Sequence, residues 1–108
     1  MQETNAEAFI RSMDPTSIFR EIEEKFKPLC SSVFHGGCAT FYSLSNGKAA
    51  IKIADNGIVV WVSARNIVDF YGILTIISGY IYLAVSTLKH IHWQPANRAP
   101  FQKFRSSA

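Results

Sequence analysis

Two Asn-Gly dipeptides, Asn46-Gly47 and Asn56-Gly57, each separate a pair of apolar segments. Asn-Gly is the strongest short signal for a β-hairpin, because a two-residue type I′ turn needs positive φ at both central positions. A turn at Asn56-Gly57 sets Asp55 opposite Ile58, Ile53 opposite Val60, Lys52 opposite Trp61 and Ile51 opposite Val62. Side chains alternate across a strand, so Ile51, Ile53, Val60 and Val62 share a core face. Lys52, Ala54, Val59 and Trp61 take the other face.

The same argument at Asn46-Gly47 pairs Leu44 with Ala49, Tyr42 with Ile51 and Thr40 with Ile53 on the core side. On the outer side it sets Phe41 opposite Lys52. A three-strand meander follows over residues 38–62, with Phe41, Lys52 and Trp61 in one lateral row and Lys48 on the same face. An ammonium between two aromatic rings on an open sheet face suits a planar ligand, a nucleic-acid base or another protein's side chain. Two plainer arrangements compete with binding. The three side chains can pack on one another, or the C-terminal tail or a second subunit can cover them. If the face is open, Trp61→Ala weakens binding and leaves the fold intact.

A length of 108 residues suits one domain. With 48% hydrophobic and 18% charged residues, the composition is that of a globular chain rather than a disordered one. The net charge of +3 is unevenly placed. Residues 1–29 are net acidic, whereas residues 89–108 carry four bases and no acid. A basic tail attracts nucleic acid or anionic lipid, but four charges are few, and a solvated, disordered tail over 95–108 is the simpler expectation. Two cysteines, Cys30 and Cys38, are too few for a disulfide framework. The first residues, MQETNAEAF, lack the basic start and apolar run of a secretory signal. The expected compartment is the cytoplasm.

Residues 1–13 are polar and weakly patterned, and read as a flexible or irregular N-terminus. Asp14-Pro15-Thr16-Ser17 opens a helix, with Asp14 or Ser17 as cap. Ile18, Phe19, Ile22 and Phe26 line its apolar side, and it stops before Pro28. Cys30–Phe34 suits a short strand. Ser63 caps a second helix over about 64–78, which Gly79 ends. Tyr80–Val85 then reads as a strand by its aromatic and β-branched content, and the alternation from Leu88 to Trp93 extends it. The expected fold is α+β in the order α-β-β-β-α-β, an antiparallel meander with helices on one face, forming a single domain over 14–94.

Phe70 to Leu88 is a run of 19 residues without a charge, long enough to cross a bilayer as a helix. The bases after it would leave the C-terminus in the cytoplasm. Gly72, Thr75, Ser78, Gly79, Ser86 and Thr87 dilute the run, and a buried helix followed by a buried strand yields the same string.

From Gly47 onward, the segments GKAAIKI, ADNG, IVVWVSA, the helix from Asn66 to Ile77, and Ile91-His92-Trp93 resemble a family of short bacterial proteins known as domain of unknown function 2218. In that family a strand after a glycine, an acidic-Gly hairpin, a strand ending V-x-A, a helix and a strand ending I-x-W follow in order. A His-Leu-x-Arg-Phe-like segment of the family is replaced here by Gly79-Tyr80-Ile81-Tyr82-Leu83. The resemblance covers about half the chain and implies a fold without implying an activity.

Cys30, His35 and Cys38 place three soft ligands within nine residues. Structural zinc takes four ligands, commonly in C-x2-C pairs, so His90 or His92 would have to complete the set. The plainer reading is two small cysteines and a turn histidine. Cys30 or Cys38 with His35 also has the atoms of a thiol enzyme, without a motif that lowers a thiol pKa. His35-Gly36-Gly37 lacks the helix and lysine of a phosphate-binding loop. Glu21 and Glu24 read as a solvated helix face.

The sequence thus points to a small binding or protein-interaction module, self-associating through its sheet, with Phe41, Lys48, Lys52 and Trp61 as contact residues. No cofactor or catalytic residue is expected, and the partner is a second copy or another protein, with nucleic acid less well supported. The alternative is a single-pass membrane protein spanning residues 70–88. Third comes a metal- or thiol-dependent enzyme built on Cys30, His35 and Cys38.

Overall fold

A computed structural model of the protein describes residues 3–101. It is α+β: a six-stranded antiparallel sheet with two helices packed on one face. The elements run β1 (Thr4–Arg11), α1 (Pro15–Phe26), a 3-10 turn (Lys27–Leu29), β2 (Ser32–Gly36), β3 (Ala39–Leu44), β4 (Gly47–Ala54), β5 (Gly57–Ala64), α2 (Ile67–Ala84) and β6 (Gln94–Pro95). The strands lie in the order β2-β3-β4-β5-β1-β6.

The meander forms, with both hairpins slipped by two residues from the expected register. Ala54 faces Gly57 and Ile53 faces Ile58, so the turn is Asp55-Asn56. Likewise Leu44 faces Gly47, so the first turn is Ser45-Asn46. Neither turn is type I′, since among the described residues the only glycine with positive φ is Gly37 and the only other such residue is Phe101. Gly47 and Gly57 are instead required by crowding. A Cβ on Gly47 would come within 2.5 Å of the Ser63 carbonyl oxygen and of Ile73 Cδ1. A Cβ on Gly57 would collide with the carbonyl of Ile10. Because the strand period is two, a slip of two leaves every side chain on its expected face. Tyr42, Ala49, Ile51, Ile58, Val60 and Val62 all enter the main core.

Several elements differ from the sequence reading, the first being the N-terminal segment. Residues 4–11 form β1, paired over eight residues with β5, rather than a flexible segment. Ala6, Ala8 and Ile10 alternate into the core, although alanine, asparagine and glutamate have little strand preference. Pairing with a neighbour buried on both faces outweighs that propensity. The second difference is α2, which continues through Gly79 to Ala84 instead of yielding to a strand. Phe70, Ile73, Ile77 and Ile81 form a stripe at helical spacing that packs on the sheet, and this stripe overrides the β preference of Tyr80–Val85. Asn66, not Ser63, caps this helix, accepting from the Asp69 backbone N–H at 2.9 Å.

Helix α1 begins where its sequence indicates. Asp14 accepts from the Ser17 N–H at 3.3 Å, Pro15 occupies the first turn, and Ile22 and Phe26 are buried. Residues 88–93 form no strand, and the last strand is the two-residue β6 on the free edge of β1. The tail expected to be disordered lies on the sheet as far as Phe101, and residues 102–108 fall outside the described part.

Candidate interaction surfaces

On the outer face of the sheet, pairing aligns Phe34, Phe41, Ala50, Trp61, Glu7 and Gln94 in one row. The expected Phe41–Lys52–Trp61 row is therefore not formed, because Ala50 occupies the position between Phe41 and Trp61. Lys52 lies two residues along β4, about 7 Å away, between Ala39 and Val59. Lys48 is exposed and flanked by Ser43 and Ser63, at the rim of a polar cavity of about 430 Å³ that also touches Glu3, Arg65 and Asp69.

Trp61 is not an open contact residue. It is 4% exposed, in a small cluster with Ala50, Val59 and Phe101. Its indole N–H donates to the Asn97 carbonyl at 3.0 Å. The backbone N–H of Phe101 donates to the carboxylate of the buried Glu7. Of the sequence alternatives for this face, cover by the tail is the one found. Open parts of this face include Phe9 on β1, opposite Val59, and the β2–β3 side, where Phe34 is 66% exposed and its ring stands 6.2 Å from that of Phe41. Phe34 is not among the contact residues the sequence suggests, although its alternation with the inward-packed Val33 marks it as outward-facing.

Helix α2 offers a second surface. Its sheet-facing stripe is buried, while Val68, Tyr71, Ile76 and Leu83 are exposed, at 78%, 56%, 42% and 68%. Gly72, Thr75 and Gly79 are exposed between them. A Cβ at Gly72 or Gly79 would meet nothing within 4 Å. The helix has the length and composition to cross a membrane, with a mean hydropathy of 1.6 and 22% of its residues buried.

The thiol and imidazole candidates are dispersed. Cys30 lies just beyond the 3-10 turn, its Sγ 3.4 Å from the Phe26 carbonyl, and burial pushes its pKa up, away from thiolate reactivity. Cys38 is exposed at the β2–β3 turn, and both thiols are free. His35 Nδ1 is 3.1 Å from Thr40 Oγ1, and its Nε2 is 3.9 Å from Glu23 Oε2. His90 and His92 stack edge to face, 4.3 Å apart, on irregular backbone. Among the described residues no three His, Cys, Asp or Glu side chains converge to hold a metal ion. Near His35, Tyr42 donates to Glu23 Oε2 at 2.8 Å and ties α1 to the sheet.

No family model matches this chain, and no curated protein is similar to it in sequence.

Proposed function

We propose that the protein is a small interaction module that pairs with a second copy of itself through the exposed face of α2. The observation that carries this reading is an apolar helix face, without a charge from Phe70 to the helix end at Ala84, left uncovered on a folded domain. Monomeric soluble proteins rarely expose contiguous apolar patches beyond a few hundred Å². The order of residues along that face supports a copy of the same chain as its partner. An antiparallel pair centred between Thr75 and Ile76 sets Gly72 against Gly79, Val68 against Leu83, and Thr75 against Ile76, each contact occurring twice. A two-fold interface needs this kind of self-complementarity. The bare glycines allow the two helix backbones close approach.

The same helix supports a second reading, contact with a membrane, by its length and hydropathy. Full insertion of residues 70–88 would pull Phe70, Ile73, Ile77 and Ile81 out of the sheet core, so packing favours the protein partner. The deciding experiment is sedimentation of the wild-type chain beside Ile76→Glu. A dimer whose dissociation constant rises at least about tenfold in the variant (about 1.4 kcal/mol) supports the proposal. A monomer at all concentrations, or flotation of the wild-type chain with phospholipid vesicles, overturns it.

A further inference from the structure

The C-terminal segment makes the contacts of a bound peptide. Gln94 and Pro95 add to the edge of β1 opposite Glu7 and Ala6, and the Ala96 N–H donates to the Asn5 carbonyl at 3.0 Å. An edge position suits Pro95, which has no N–H for an inner ladder. The chain then crosses onto the outer face, where Asn97 receives the Trp61 indole. Phe101 lies on Ala50, Val59 and Trp61, 8% exposed, with its backbone N–H on Glu7. Main-chain pairing at an edge, one indole donor, one carboxylate acceptor and one aromatic socket form a complete recognition set for an extended segment.

We propose that this outer face beside β1 is a groove for an extended segment of another protein, and that residues 94–101 are its resident, displaceable occupant. The matching ligand carries a proline at the edge position and an aromatic side chain six residues later. The resident segment holds on weakly. Its ladder with β1 is two residues long, against eight for β5 on the other side of the same strand. Phe101 adopts φ of +68°, a conformation costly for a bulky side chain. A second copy's tail would bring the same strained Phe101 without the advantage of being tethered beside its site. An unstrained segment of a different protein competes on better terms. The proposal is independent of pairing through α2, because groove and helix lie on opposite faces of the sheet.

The test uses the full-length chain and a fluorescein-labelled peptide of residues 94–101, QPANRAPF, followed by anisotropy. Two variants loosen the resident segment: Phe101→Ala empties the socket, and Ala96→Pro removes the N–H bonded to Asn5. Both are expected to bind the peptide at least about tenfold more tightly than the wild type, with far-ultraviolet circular dichroism unchanged. A peptide ending in alanine instead of phenylalanine is expected not to bind. Equal or absent binding in wild type and both folded variants overturns the proposal. So does self-association of the wild type that both variants lose while Ile76→Glu keeps it, since that result assigns the groove to a second copy.

Discussion

The indole N–H of Trp61 donates to the carbonyl of Asn97 at 3.0 Å, so a residue in the middle of the sheet is tied to the C-terminal segment that crosses it. Asn97 lies two residues beyond the end of β6, and it is this crossing that converts Trp61 from a surface aromatic into a buried one.

Trp61→Ala is accordingly a stability mutation. Removing a large buried aromatic side chain costs about 3 kcal/mol or more. Trp61→Phe, which keeps a ring and loses the donor, costs about 1 kcal/mol. Urea unfolding checks both. An alanine variant as stable as the wild type would show that the tail does not cover this face in solution.

Gly57→Ala is expected to destabilise by about 1–3 kcal/mol, the usual range for overpacking. The added methyl meets the Ile10 backbone, which can withdraw only by disturbing the β1–β5 ladder. A denaturation midpoint equal to that of the wild type would contradict the close approach of these strands.

Gly79→Ala is expected to act in the opposite direction on the monomer. Gly79 lies inside an exposed stretch of helix with open space where a Cβ would stand, so alanine gains up to about 1 kcal/mol of helix stability. If α2 pairs with its copy through the glycines, the same methyl weakens the dimer. Thermal unfolding at low protein concentration and sedimentation at high concentration separate the two effects.

Stability is expected to fall at alkaline pH. Burial, followed by the adjacent Glu23, holds the Tyr42 hydroxyl above its ordinary pKa of 10.0, and burial raises Cys30 above 9.0. In both cases the unfolded chain loses its proton first, so their contribution is complete below pH 9 and declines above it, Cys30 first and Tyr42 from about pH 10. Tyr42→Phe is expected to remove the later part of the decline in urea midpoints measured from pH 8 to 11. An unchanged slope would show that Tyr42 ionises equally easily in both states.

Much of the architecture could be read locally. Asp14-Pro15 marks the start of α1, the alternation in residues 40–62 marks the meander, and the faces of Ile51, Val60 and Val62 follow from the strand period alone. The faces were robust because a slip of two residues leaves them unchanged, whereas lateral neighbours are not protected in that way. That is why the row at Trp61 contains Ala50 and not Lys52. The hairpin glycines mark turns by their residue type, but they are needed at the starts of β4 and β5, where other chain segments leave no room for a side chain.

The sequence by itself determined the α+β class, the first helix, the three central strands and an uncharged segment from Phe70 to Leu88, because each depends on spacing between near neighbours. Only the tertiary structure decided that residues 4–11 are a strand, that Tyr80–Ala84 are helix, and that Trp61 lies beneath Phe101. Those outcomes rest on contacts between residues far apart in the chain, such as Ala8 with Val60, or Glu7 with Phe101. Burial across such distances outweighs the local preference of alanine, tyrosine or a chain terminus.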